Sequence, residues 1–563
     1  MKEIIKKLQD KNIFEIIFIL LMIFICSKIY DFHIVNIMCD RGRELFIPEA
    51  IADGKVPYRD ILLLYFPLGY YLNALFMLIG KVSLNSLFWA GMINCTIFAI
   101  LFFELSKEFI SKKMSLIFTA ATISVCMFSH SLFSYIFPYS YSMVYGLTAY
   151  LAATLFLIKF AKTKNEKLLY FAGLFSGLSF AFKAEFMLMP IIFLAVLFWK
   201  NFSSVKTKII SIINLLIFPI ITMVLPILQG AKISDIANYF SFISNFSHTK
   251  SMIAFYQGIG TIFSQANIPA YISGSVGLII LIIASASASF LFEKNKNKLI
   301  YAIIFLVTCS LLFVLTDPFE YFVLLPITVL MVFIAKFKEI KNNKIDLILV
   351  ISTICLCTKS FAMLSLNKYG TFYFPFLILT LFVLLKDLKF ENKFLKEIKI
   401  ENIFIFISLF FIAYAEMTAI YSTKYCNEKI ETDKGYVYLC ENQGKYIHQA
   451  VDYLKNNTND SDKVLVLPEG QIINFLANRK NDTRLHMLDR LYFDGLGSEN
   501  AKKLLEETNN DYIIIVKGFL LSDFGEKYLY GEKNDITDFI KSNYDIVEFF
   551  GDKNDNVTIL KKN

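Results

Sequence analysis

Long apolar runs almost free of charge decide most of what this chain can fold into. Residues 13–30, 209–228 and 271–292 are such runs. Roughly 18 or more apolar residues in a helix reach across the hydrocarbon core of a bilayer, and a helix satisfies its own backbone there. Composition points the same way. Only 18% of residues are charged and 56% are hydrophobic, where soluble domains carry about a quarter charged. The first run follows a basic stretch, yet Cys26-Ser27-Lys28-Ile29-Tyr30 offers no small-residue cleavage pattern. It is therefore expected to remain as a span.

The apolar runs predict about thirteen spans, near 13–30, 84–104, 114–135, 143–160, 168–182, 185–199, 209–228, 271–292, 299–315, 320–335, 345–364, 369–385 and 402–421. The segment 61–80 is apolar enough to compete, and charge decides against it. With 61–80 left out, alternate connections (106–113, 159–167, 200–208, 293–298, 336–344 and 386–399) hold 22 lysines, and the opposite connections hold four. Lys-rich loops face the cytoplasm. Lys200, Lys296, Lys341 and Lys393 are thus expected inside, with the N-terminus, and the C-terminus outside. Segment 61–80, interrupted by Pro67 and Gly69, is expected to lie at or dip into the outer interface.

The composition changes after residue 421. Val464-Leu465-Val466-Leu467 and Tyr512-Ile513-Ile514-Ile515-Val516 read as short buried strands. Residues 444–456, 470–478, 499–508 and 535–543 read as helices between them. The fold class expected is an α-helical polytopic membrane domain, 1–421, followed by an extracytoplasmic α/β domain, 422–563. Cys426 and Cys440 fall on the outer side, where a bridge can form. Pairing and free thiols both stay open.

The net charge of +8 does not imply an anionic partner, because the lysines sit between spans and set topology. No basic run is interleaved with aromatics, so nucleic acid is not expected as a partner. The nine cysteines contain no CxxC pair. Cys355 and Cys357 form a CxC inside a span and read as packing, so no metal site is assigned. The abundance of Phe, Ile, Lys and Asn fits an A+T-rich bacterial genome, hence a bacterial plasma membrane.

The first outer loop, 31–83, is unusually charged. Its segment Asp40-Arg41-Gly42-Arg43-Glu44 continues through Glu49, Asp53 and Lys55 to Arg59-Asp60. If helical, Asp40 and Glu44 share a face and Arg43 lies at the adjacent position. Charges crowded beside a bilayer are costly unless paired or functional. A surface loop whose charges simply pair is the competing reading.

An acid just after the first span, a helix running into Gly54-Lys55-Val56-Pro57-Tyr58, and then Tyr65-Phe66-Pro67-Leu68-Gly69-Tyr70-Tyr71-Leu72 together resemble the first outer loop of family 39-type glycosyltransferases. These are membrane enzymes of the GT-C fold, related to protein O-mannosyltransferases and lipid A aminoarabinose transferases. The motif covers residues 38–80, and the span count and trailing outer domain extend the likeness loosely to the whole chain. The resemblance implies sugar transfer from a polyprenyl-phosphate donor to an outer-face acceptor, which could be a glycan, a lipid or a protein. It implies Asp40 as the catalytic carboxylate, with Arg43 near the donor phosphate and Glu44, Tyr65 and Glu185 in support around the acceptor.

A second likeness runs from Gly173 to Glu185, a Gly-containing span ending in Lys183. In the family such a lysine faces the lipid phosphate. The competing reading is a snorkelling lysine or a Lys183–Glu185 pair at a hairpin. Two residues apart on one helix, the two would not share a face. Lys368, in a later outer connection, is expected to add a phosphate contact. The long outer loop 229–270 is expected to cover donor or acceptor. In one respect the chain departs from the pattern. Related enzymes carry another acid after the third span, whereas 134–141 has no carboxylate, so any step needing a second acid, including metal binding, lacks a candidate here. No cofactor is assigned. The WWDYG-type motif of oligosaccharyltransferases is absent. A transporter or flippase of lipid-linked saccharide is the alternative, although the repeated halves of transporters are not evident.

Overall fold

A computed structural model describes residues 12–34, 37–38, 40–130, 133–199, 203–259, 265, 268–294, 298–362, 369–388, 398–481, 483–518 and 535–563. Among these residues, seven helices are long and apolar enough to cross a membrane: Ile13–Tyr30, Leu84–Lys107, Tyr141–Thr163, Val205–Leu228, Ile268–Phe290, Pro318–Ala335 and Ile400–Tyr425. Five shorter apolar helices accompany them. Large apolar side chains such as Ile17, Leu21, Phe24, Ile213 and Ile283 are exposed on the outside of the bundle, as lipid-facing residues are. The chain is a multi-pass membrane protein.

Several expected spans take shorter or interrupted forms. The run 114–135 is an α-helix over Lys112–Thr122 that widens into a π-turn at Ile123–Met127. Within 61–80 the helix is Leu68–Gly80, 13 residues. At about 1.5 Å per residue it reaches only about 20 Å, short of the ~30 Å core. Small residues set the close approaches. A Cβ on Gly177 would fall 1.9 Å from the Leu215 carbonyl oxygen, so the Lys167–Phe182 helix lies almost backbone to backbone on Val205–Leu228, as small residues permit in membrane bundles.

Charge separates the two ends of the bundle. At one end, Lys112 pairs with Glu15 at 2.8 Å, Lys162 with Glu108 at 2.9 Å, and Lys344 lies over the Trp199 ring. These groups belong to the lysine-rich connections or adjoin them. At the other end lie the charged first loop and the C-terminal domain, joined where Tyr436 donates to Asp31 at 2.7 Å.

The C-terminal region begins with a hairpin, β1 (Glu428–Thr432) and β2 (Gly435–Leu439), paired antiparallel. A four-stranded sheet follows, containing β3 (Val464–Leu467), β4 (Tyr512–Lys517), β5 (Tyr544–Gly551) and β6 (Asn556–Lys562) in the order β3-β4-β6-β5. The β3–β4 pair is parallel and the others antiparallel. The two apolar runs expected as strands are β3 and β4. Both are buried, which is why they read as continuous apolar runs rather than alternating ones. Helices Glu441–Asn457, Gln471–Ala477, Ser498–Glu506 and Asp535–Asn543 occupy the expected positions. Cys426 and Cys440 flank the hairpin with their sulfurs 2.7 Å apart.

The sidedness expected from the lysine distribution can be measured. A cysteine placed at 460 should react with an impermeant maleimide from outside intact cells, and one at 341 should not. The reverse pattern would invert the topology and place the charged loop in the cytoplasm.

Candidate functional site

The end of the bundle opposite the lysine-rich connections gathers an unusual number of buried charges. The helix Arg41–Ala52 begins immediately after Asp40, whose backbone adopts φ 58°, a left-handed conformation uncommon for a residue with a Cβ. It stays there because the surroundings over-determine it. The Asp40 N–H donates to Glu469 of the C-terminal domain. Its carboxylate receives Arg43 Nη1 at 2.7 Å. Gly42 allows the close seat, since a Cβ there would lie 2.9 Å from the Ile472 backbone nitrogen.

Arg43 is the hub. Its side chain is 1% exposed. Besides Asp40 it donates to the Tyr139 carbonyl at 3.0 Å and approaches Glu44 at 3.4 Å. Its guanidinium lies 5.0 Å from the Tyr65 ring centroid. Glu44, equally buried, accepts the Tyr141 N–H at 2.9 Å. Burial pushes its carboxyl above the usual range, against the pull of Arg43 and the Tyr141 N–H. Arg41, also buried, donates to the Phe137 carbonyl at 2.9 Å. The two arginines thus grip the connection 136–141, which joins two apolar helices.

Lys183 reaches the same place from a different direction. The Lys167–Phe182 helix ends there, with Lys183 extended at φ −155°. Its ammonium lies 4.7 Å from the Tyr65 centroid and donates to the Tyr139 hydroxyl at 2.7 Å. Tyr65 and Tyr139 therefore link Lys183 to Arg43. The structure forms the Lys183–Glu185 pair of the competing reading, which corrects the expectation that the two side chains diverge. The helix breaks at Lys183 and a 3-10 turn follows over Ala184–Phe186, so Lys183 and Glu185 pair at 3.1 Å. Lys359, from the helix Thr358–Ala362, pairs with the same Glu185 oxygen at 3.1 Å, and the Tyr373 hydroxyl donates to the other at 3.2 Å.

The sequence-derived residues Asp40, Arg43, Glu44, Tyr65, Lys183 and Glu185 thus form one connected network. Lys368 lies outside the described residues. Sequence reasoning missed Lys359, which sits within an apolar run, and it missed the acids of the C-terminal domain. Glu469 accepts the Asp40 N–H, and Asp489 lies within electrostatic reach of Asp40. Burial, then Asp40, raises the Glu469 carboxyl well above its ordinary range, and burial raises that of Asp489. Among the described residues, no group of three His, Cys, Asp or Glu is arranged to hold a metal ion.

Residues 229–270, expected as a long outer loop, are largely helical among the described residues. They form helices Ile233–His248 and Lys250–Ile259. Phe242 and Phe246 of the first pack on Tyr492, with ring centroids 5.7 and 5.6 Å apart, and Tyr239 packs on Tyr58 at 4.7 Å. This segment therefore braces the C-terminal domain against the first loop.

No protein-family profile matches the chain, and no curated protein matches it. Among solved structures, the chain is similar to the oligosaccharyltransferase of Archaeoglobus fulgidus in its apo form, with 11% identity over 97% of this chain and 74% of that one, at a TM-score of 0.48. It is similar to ArnT from Cupriavidus metallidurans bound to undecaprenyl phosphate, with 9% identity over 96% of this chain and 97% of that one, at a TM-score of 0.44. It is also similar to the archaeal oligosaccharyltransferase AglB from Archaeoglobus fulgidus in complex with an inhibitory peptide and a dolichol-phosphate, with 12% identity over 96% and 74% of the two chains, at a TM-score of 0.42.

Proposed function

We propose that this chain is a membrane glycosyltransferase that moves a sugar from a polyprenyl-phosphate donor to an acceptor at the outer face of a bacterial plasma membrane. About thirteen crossings, a cytoplasmic N-terminus and an extracytoplasmic C-terminal domain belong to the same reading. The observation that carries it is the Tyr65 ring shared by Arg43 and Lys183 beside the Asp40 carboxylate. A carboxylate able to take a proton, held by Arg43, and a cation able to hold a phosphate, Lys183, meet there, beside the ends of apolar helices.

The residues divide the work. Lys183 and Lys359 share Glu185 and so form a two-cation cradle. A lipid phosphate entering it would be balanced by both ammonium groups as negative charge develops on the leaving oxygen. Asp40 accepts the acceptor's hydroxyl proton. The acceptor oxygen then bonds to the anomeric carbon, the bond from that carbon to the phosphate oxygen breaks, and its electron pair leaves with polyprenyl phosphate. Arg43 and Glu44 hold Asp40 and the 136–141 connection in register.

The test is to incubate the purified protein with radiolabelled polyprenyl-phosphate sugars and with glycan, lipid and protein acceptors, and to follow label transfer and release of polyprenyl phosphate. Lys183→Ala should raise the donor KM at least about ten-fold, the worth of one charge-assisted hydrogen bond. Lys183→Arg should be milder, because charge is kept while shape and hydration change. Normal turnover by Lys183→Ala would leave Lys183 a helix-end anchor. Failure of the wild-type protein to consume any donor would remove the transferase reading.

A further inference from the structure

The two-lysine cradle contains an acid of its own. One Glu185 oxygen lies 3.1 Å from the Lys183 ammonium and 3.1 Å from the Lys359 ammonium, and the other accepts the Tyr373 hydroxyl at 3.2 Å. Three stretches of chain meet on this one carboxylate: the 3-10 turn Ala184–Phe186, the helix Thr358–Ala362, and Tyr373 at the start of the helix Phe374–Leu385. Lys183 is fixed further by the Tyr139 hydroxyl and the Tyr65 ring. Glu185 is 10% exposed and Lys359 25% exposed. Lys359 is the more open group, so a phosphate reaches the cluster from its side.

An acid placed against both lysines weakens them as anion binders. In the empty site it has a plain use, because two ammonium groups sharing one enclosed place repel each other. In the filled site it limits the charge on offer. Two ammonium groups and one carboxylate leave one net positive charge. The neighbouring Arg43 guanidinium is already paired with Asp40 and approaches Glu44. Donor and product differ in just this respect. A polyprenyl-phosphate sugar is a phosphodiester with one negative charge. The lipid phosphate left after transfer is a monoester, whose second ionisation near pH ~6 gives it a charge of about −2 above neutrality.

We infer that Glu185 is a positioning residue that matches the cradle's charge to the phosphodiester donor, so that the more highly charged lipid phosphate is released after transfer. This rests on the glycosyltransferase reading and deepens it. As the acceptor oxygen bonds to the anomeric carbon, its proton passes to Asp40 and the bond from that carbon to the phosphate oxygen breaks. The electron pair stays on the phosphate, which gains one negative charge. That added charge faces the Glu185 carboxylate, and enclosing a charge without compensation is costly. Two lysines without Glu185 would hold the product more tightly than the donor, and product release limits many enzymes.

The experiment measures equilibrium binding of two lipids to the full chain in lipid nanodiscs at mildly alkaline pH. One is polyprenyl phosphate, and the other is its methyl ester, a diester fixed at one negative charge. The wild-type protein should bind the methyl ester at least as tightly as the monoester. Glu185→Gln keeps the size of the side chain and an oxygen for the lysines, and it removes the charge. Coulomb energy scales with the product of the charges, so the monoester gains about twice as much as the ester on a logarithmic scale. Its affinity relative to the ester should rise at least about ten-fold, and it should inhibit sugar transfer at correspondingly lower concentration. Glu185→Asp keeps the charge and should keep the wild-type ratio. A carboxylate that serves only the fold would move both lipids alike, so an unchanged ratio in Glu185→Gln overturns the inference. A wild-type preference for the monoester overturns it too, and that result needs no variant to fold. If the wild type transfers sugar yet prefers the monoester, the inference alone falls. If it binds neither lipid, the transferase reading fails and the inference falls with it.

Discussion

Asp40→Asn should abolish most sugar transfer while leaving the protein folded and in the membrane. Asn keeps the size of the side chain and can still accept from Arg43, but it cannot take a proton. General-base catalysis by a placed carboxylate contributes about 10²–10⁴-fold, and turnover should fall by that order, with donor KM changed little. The reason to expect so large an effect lies in how Asp40 is held. Its backbone is fixed through Glu469, its carboxylate through Arg43, and its side chain is still 31% exposed. Arg43 and Glu44, by contrast, are almost fully enclosed. Of these three, Asp40 is the one that is both anchored and open to a substrate. Label transfer by the purified variant, with circular dichroism as the folding control, decides the matter. Full activity in folded Asp40→Asn would move the search for a base to Glu469 and Asp489, since Glu44 is committed to Arg43 and the Tyr141 N–H.

How far the site could be read from sequence depended on whether its parts are local. Asp40, Arg43 and Glu44 lie within one turn, and helical spacing alone brings them together. Tyr65 entered through a motif, and Lys183 through the end of an apolar run. Glu185 shows where a correct periodicity argument fails. Two residues on one helix diverge, but the chain stops being helical at Lys183, so both side chains turn to the same side. No residue near 183 announces that break by itself. It comes from the turn between two helices packed on the same neighbours.

The C-terminal acids show a different limit. Glu469 follows a strand that was legible as Val464–Leu467, and a loop after a buried parallel strand is a common place for function. Nothing in the sequence says that this loop meets Asp40, because the two are more than 400 positions apart. That meeting depends on the close seat at Gly42, and the helix Ile233–His248 packs on both Tyr492 of the domain and Tyr58 of the first loop. The hairpin β1–β2 was missed for a related reason. Its strands carry Glu428, Lys429 and Glu431, and they earn their place through tertiary contacts. Lys434 at the turn pairs with Glu49 of the Arg41–Ala52 helix, and Tyr438 exchanges backbone hydrogen bonds with Phe32 and Ile34.

Arg43 carries the largest expected effect on stability. It was expected to contact the donor phosphate, yet every face of its side chain is occupied, by Asp40, Glu44, the Tyr139 carbonyl and the Tyr65 ring. Removing one member of a buried ion pair leaves the other uncompensated and typically costs about 3–5 kcal/mol. Arg43→Ala should therefore lower the thermal midpoint strongly and reduce yield from membranes, beyond any loss of activity. The pH dependence has a definite sign. Burial already raises the Glu44 carboxyl in the folded protein, and without Arg43 it would rise further. A group whose folded value is raised contributes its full stability below its unfolded value and loses it as pH climbs through the folded one. The Arg43→Ala deficit should accordingly be smaller in mildly acidic buffer than in alkaline buffer. Adding Glu44→Gln should recover part of the midpoint and flatten that dependence, because the stranded charge is gone. A midpoint within about two degrees of wild type at both ends of the range, well under what 1 kcal/mol produces in a small domain, would mean that Arg43 is free of its partners. Arg43 would then be available to the donor phosphate, as the family resemblance implies.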